Sequence, residues 1–120
     1  MSKKRIESYI PKVITVLDDE FPTGIIPSAY NGYISSFGAS IMQSGLKPTL
    51  ALFENTDANT KEDKEYLTYL IIRVLTGKKD DISLLRYVIN NNEEILKQKI
   101  MDISIAIKLS IRTFKLDKGE

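Results

Sequence analysis

The chain has 120 residues, of which 17 are Lys or Arg and 16 are Asp or Glu, giving a net charge of +1. Its 42% hydrophobic and 28% charged residues suit one globular core, so a single domain over residues 1–120 is expected. With no Cys and no His, it has no disulfide, no thiolate or imidazole metal site, and no Ser-His or Cys-His nucleophile.

Helical periodicity runs along the whole chain, and no segment sustains the period-two alternation of a strand. The basic start is followed by Ile6-Glu7-Ser8-Tyr9 and not by an apolar stretch, so no signal peptide is read and a cytoplasmic location is expected. A first helix spans about Ser2 to Asp19, with Ile6, Ile10, Val13 and Leu17 on one face. Pro11 should kink it or push its start later, because proline lacks the amide donor. Phe21-Pro22-Thr23-Gly24 reads as a loop.

A second helix from about Ser28 to Ser44 carries Tyr30, Ile34, Phe37 and Ile41 as an apolar stripe. Its other side is small, with Gly32, Ser35, Ser36, Ala39 and Ser40, and such a surface lets another helix approach closely. Tight packing is therefore the expected reason for Gly38. Gly45 should end this helix with a positive φ, and Leu46 should follow as an apolar contact. A short helix restarts at Lys47-Pro48, with Leu46, Leu50 and Phe53 facing inward.

After a polar loop, Thr60 is the expected N-cap of a helix that buries Leu67, Leu70, Ile71 and Val74 and stops at Gly77. A charged turn, Lys78-Lys79-Asp80-Asp81, leads to a helix built on Ile82, Leu85, Val88 and Ile89. Asn91 with Glu94 forms the expected capping box of a last helix reaching about Lys115. The fold class is all-α: a bundle of about five or six helices with a long C-terminal helix.

That last helix has two apolar sides. Leu96, Ile100, Ile107, Ile111 and Phe114 form one, and Ile105, Leu109 and Leu116 fall nearly opposite. Lys97, Ser104, Lys108, Arg112 and Lys115 lie between them as a basic ridge. Either the helix is central in its own domain, its lysines reaching out to water, or the second stripe docks a neighbour and the ridge faces a polyanion. Tyr66, Tyr69 and Arg73 share a helix flank that could stack bases and pair phosphates, or could simply edge the core.

Other chemistry is poorly supported. Gln43-Ser44-Gly45-Leu46 might join a DNA-reading helix pair, but the following helix offers no Arg, Asn or Gln to base edges. The acidic runs Asp18-Asp19-Glu20 and Asp80-Asp81 sit at helix boundaries, where capping accounts for them without a metal. The glycines never form a phosphate loop. No cofactor, metal, small-molecule substrate or membrane partner is expected.

The segment from Tyr33 to Leu46, Tyr-Ile-Ser-Ser-Phe-Gly-Ala-Ser-Ile-Met-Gln-Ser-Gly-Leu, followed by Thr49-Leu50-Ala51-Leu52-Phe53, resembles the small helical subunit of the Cmr complex. That complex is the type III-B CRISPR effector. The resemblance implies a helical bundle that stacks with copies of itself and with other Cmr subunits. It also implies contact with the backbones of guide RNA and target RNA, while other subunits cleave. The matched segment is structural, so RNA-contacting residues come from helical position alone: Lys47, Arg73, Lys108, Arg112 and Lys115. Ile105, Leu109 and Leu116 are the expected subunit contacts.

Overall fold

The computed structural model describes residues 3–54, 64–79 and 82–117. The elements run α1 (Lys3–Glu20), β1 (Ile25–Pro27), α2 (Ala29–Ser44), α3 (Leu46–Phe53), α4 (Lys64–Thr76), α5 (Leu84–Ile89), α6 (Glu93–Ile111) and β2 (Lys115–Asp117). The long helix α6 is central: it packs against α1, α2, α4 and α5, most extensively against α1. Burial inside the domain accounts for one apolar side, since Ile100 and Ile107, with Ile103 and Ala106, are fully buried, whereas Ile105 and Leu109 of the opposite side are not.

The first helix runs unbroken through Pro11. Loss of the proline amide leaves the Glu7 carbonyl without its helical donor, but Glu7 and Pro11 both lie on the exposed side, where water can serve. Val13, Val16 and Leu17 form the buried seam, with Ile6 and Ile10 at its edge. The expected stripe of α2 is the observed one, as Tyr30, Ile34, Phe37 and Ile41 are all buried. Gly45 ends α2 at φ +96°, and its amide donates to the Ile41 carbonyl at 2.9 Å. An L side chain rarely adopts that φ, so glycine is needed here. Leu46 then turns into the core, and Pro48 occupies the first turn of α3.

Several boundaries differ from the sequence reading. The cap of α6 is Asn92, whose side chain accepts from the Ile95 amide at 3.2 Å, while Asn91 bonds back to the Tyr87 carbonyl. In α5 the buried pair is Leu84 and Val88; Ile82 and Ile89 are exposed. Ser83 caps α5 by accepting from the Arg86 amide, and Glu54 adds a second acceptor for the Ser83 hydroxyl and the Leu85 amide. With this long-range cap the helix starts at Leu84, two residues after Ile82, the first apolar residue that spacing alone assigned to it. Thr60 and the Asp80-Asp81 pair lie outside the described residues.

The largest departure is at the end of α6. The helix stops at Ile111, Thr113 donates its hydroxyl to the Ser110 carbonyl, and residues 115–117 pair in parallel with residues 25–27. The register places Ile25 opposite Lys115, Ile26 opposite Leu116 and Pro27 opposite Asp117. Lys115 and Leu116 are thus strand residues, not members of the helical ridge and stripe. Flanking bonds from the Lys115 amide to the Gly24 carbonyl and from the Ser28 amide to the Asp117 carbonyl fasten both ends.

Candidate functional site

The five candidate bases do not form one surface. Arg73, on α4, points into the space between α4 and the end of α1. Its Nη1 donates to Glu20 at 2.6 Å and to Asp19 at 3.0 Å, and its side chain is only 12% exposed. Tyr66 and Tyr69 donate their hydroxyls to the two oxygens of the same Glu20 carboxylate. Lys79 adds a 2.8 Å pair to Asp19. The three residues expected as a stacking flank are consumed by this network, and the Tyr66 ring is further occupied by Phe21, Tyr30 and Tyr69. The reason is electrostatic. Two carboxylates at a helix C-terminus oppose the helix dipole, so they do not cap it, and α4 supplies the cations and hydroxyls that hold them.

The protonation states follow from this packing. Burial raises the Glu20 carboxyl, but the bonds from Tyr66, Tyr69 and Arg73 outweigh it and hold the group below its ordinary range. The ion pair with Lys79, then that with Arg73, lowers Asp19. Burial first, and the bond to Glu20 second, push the Tyr66 hydroxyl far above its usual value. The cluster is a fully charged clasp at neutral pH.

Lys47 pairs with Glu93 at 3.1 Å, tying the first turn of α3 to that of α6. Lys108, Arg112 and Lys115 are different: none takes part in an ion pair among the described residues. Lys108 lies in the last turn of α6, Arg112 is its C-cap residue, and Lys115 opens β2. All three therefore collect at one end of the molecule, where cations also complement the helix dipole. Ser104, which spacing placed within the ridge, is buried, so the basic surface begins one turn later.

Of the expected subunit contacts, Leu109 is 46% exposed, Ile105 is half-buried, and Leu116 packs on the core from β2. The small side of α2 is open as well. Gly32, Ser35, Ser36 and Ala39 are exposed, and a Cβ at Gly32 or Gly38 would meet nothing within 4 Å. Among the described residues nothing would press on a Cβ at Gly38, so tight internal packing is not why it is glycine, although Ser40 at the edge of this side meets Thr49 of α3 with hydroxyls 2.7 Å apart. The face is also free of charge, because the 16 residues of α2 include no Asp, Glu, Lys or Arg. Met42, 74% exposed, continues it.

A family model described as CRISPR-associated protein (Cas_Cmr5) matches residues 1–109. The chain belongs to that family. It is accordingly a Cmr5-family small subunit of the type III-B complex, and its helical bundle is the body of that subunit. No curated protein and no solved structure matches it. The Cmr5 match ends before Arg112 and Lys115, so two of the three unpaired bases lie beyond the matched span. Among the described residues, no group of three or more acids gathers as metal ligands would, and no helix is long and apolar enough to cross a membrane.

Sequence reasoning passed over Asp102. It is an acidic residue on the central helix, 1% exposed, and its Oδ2 receives the Arg5 Nε at 2.9 Å. Gln98 lies one turn earlier and donates to Oδ1 at 3.3 Å. Its sequence signal is faint: a lone acid among Ile100, Met101 and Ile103, flanked by apolar residues on both sides.

Proposed function

We propose that this chain is a non-catalytic subunit that helps to assemble a type III-B effector and touches the backbones of guide and target RNA without reading their sequence. It would act in the cytoplasm, in antiviral defence. The observation that supports RNA contact most directly is the sorting of the bases. Arg73 and Lys47 are spent on internal pairs, whereas Lys108, Arg112 and Lys115 stand together without acidic partners among the described residues. Backbone phosphates would be met by such charges with strong salt dependence, because each neutralised phosphate releases counterions. Bond cleavage falls to other subunits on this reading, as the chain offers neither His nor Cys for proton transfer or nucleophilic attack.

The test is a complex assembled with Lys108, Arg112 and Lys115 all changed to Ala. We expect normal incorporation, weaker RNA retention, and a log K against log salt slope shallower by up to about three. A variant complex that holds RNA like the parent from low to high salt removes these bases from the interface.

A second reading, a protein adaptor without RNA contact, is favoured by the uncharged outer face of α2 and by exposed Leu109. Leu109→Asp with Met42→Glu would then abolish incorporation while RNA retention is untouched by the triple alanine variant. Leu109 and Met42 are exposed enough that the isolated double variant should melt like the parent.

A further inference from the structure

The apolar side of α6 that faces away from the core runs most of the length of the helix. Ile95, Met101, Ile105 and Leu109 fall within an arc of about 120° centred on Gln98, opposite the buried Leu96, Ile100, Ile103 and Ile107. Ile95 is 55% exposed and Leu109 46%, with Met101 and Ile105 partly buried between them. From Ile95 to Leu109 this stripe measures about 21 Å along the axis.

Helices α1 and α2 both pack on α6 and wall the N-terminal part of the stripe. One open hollow of about 320 Å³ brings Met42 of α2 to Met101, Gln98 and Lys97. Another, of about 340 Å³, brings Tyr9 of α1 to Ile95, Gln98 and Lys99. Gln98 lines both, so the two hollows adjoin across α6, and both are lined mostly by apolar surface. The result is a trough with α6 as its floor.

We infer that this trough docks one amphipathic α-helix of a different subunit, whose apolar stripe is bordered by acids on both flanks. The inference rests on the assembly role proposed above and gives that role a surface and an occupant. A helix fits because the apolar positions of the floor recur about every turn, the spacing that the i, i+3, i+4 and i+7 side chains of a second helix meet. The acids follow from the rims. Lys97 and Lys99 are exposed, lie about 100° to either side of Gln98, and join no ion pair among the described residues. Asp102 is buried and already receives Arg5 and Gln98, and Glu94 sits in the first turn, where the helix dipole favours an acid. Midway along the trough, both rims therefore present unmet positive charge. Such rim charges select and orient a partner, while the apolar floor supplies the affinity.

The same charges argue against a second copy of this chain. Met42, Leu52 and Ile89 are exposed apolar residues of α2, α3 and α5, and none of those helices contains Asp or Glu. Outside the core, the acids of α6 itself are confined to its first turn. An apolar floor also gives a phosphate backbone nothing to bond, so RNA is not the occupant.

The experiment places the photo-crosslinking residue p-benzoylphenylalanine at position 98 of the full chain and assembles it with the other Cmr subunits and guide RNA. After illumination, mass spectrometry identifies what is joined to it. We expect one peptide of another subunit, with apolar residues at helical spacing and Asp or Glu on both flanks. Two variants measure the contact by incorporation: Ile95→Asp should lower it about tenfold, and Lys97→Glu with Lys99→Glu about threefold at 50 mM salt. Ile95 is exposed in the first turn of α6, where an acid is tolerated, and both lysines are exposed, so all should melt like the parent. A crosslink to RNA, to a second copy, or to a segment without acids overturns the inference and leaves the assembly role standing. So does parent-like incorporation of both variants. If the parent chain itself is not incorporated, the assembly role falls and the inference falls with it.

Discussion

Replacing Gly38 with Ala should stabilise the isolated protein. Gly38 sits in the middle of α2 with no positive φ, so alanine can adopt its backbone, and the added Cβ would have nothing within 4 Å. Removing the entropic penalty of a mid-helix glycine is worth about 0.8–1 kcal/mol. With an unfolding entropy near 2.1 cal/mol/K per residue, the 120-residue chain has about 250 cal/mol/K, so the melting temperature should rise by about 4 °C. Gly32, six residues earlier and likewise without a neighbour within 4 Å of an added Cβ, should give a similar increment. The two are about 9 Å apart along the helix and should add, for a total of about 8 °C. Calorimetry of the parent, both single variants and the double variant reads this directly. A fall in melting temperature for Gly38→Ala would mean that something already presses on that position and would refute the open face. The same variants assembled into the complex carry the second half of the reasoning: if α2 is a contact surface, stabilised chains should be incorporated less well.

Glu20→Gln leaves the Arg73 guanidinium without its main carboxylate and should cost about 1–3 kcal/mol in urea denaturation at pH 7. Because the folded Glu20 and Asp19 carboxyls lie below their ordinary values of 4.5 and 3.8, their contribution is complete above those values and is lost as pH falls through the lowered folded ones. The gap between parent and Glu20→Gln should therefore close on acidification below about pH 4, and a gap that widens there would contradict the clasp. The Arg5–Asp102 pair should respond unequally to its two halves. Arg5→Met strands a carboxylate that is 1% exposed and should cost about 3–5 kcal/mol, whereas Asp102→Asn releases a half-exposed arginine to water and should cost clearly less. Equal urea midpoints for the two would show that Asp102 is not desolvated as described.

Much of the body of the fold could be read from residue spacing. The stripe of α2, the Gly45 stop with Leu46 behind it, and the buried seam of α4 all depend on short-range pattern, and each stands where the pattern placed it. What could not be read depends on partners far along the chain. Glu54 reaches across to start α5, α4 gathers the acids of α1, and Arg5 finds Asp102 on α6. Helical position alone grouped Arg73 with Lys108 because both are bases on an amphipathic helix; only the third dimension separates a clasp from an open cation. The strand pair was invisible for another reason. Three residues are too few to show alternation, and one of the three in β1 is a proline.

That strand pair also bears on the order of folding. Its register joins positions about 90 residues apart, so closing the intervening loop from an unfolded chain costs about 4 kcal/mol in entropy. Two strands of three residues cannot repay that by themselves. The helices must assemble first and deliver residues 25–27 and 115–117 to each other nearly in place. By the same reasoning the pairing is among the first elements to open, so amide exchange at Lys115 and Ser28 should outrun that of the α6 centre. Lys115 therefore rides on the part of the molecule that closes last, and a bound polyanion would slow its opening.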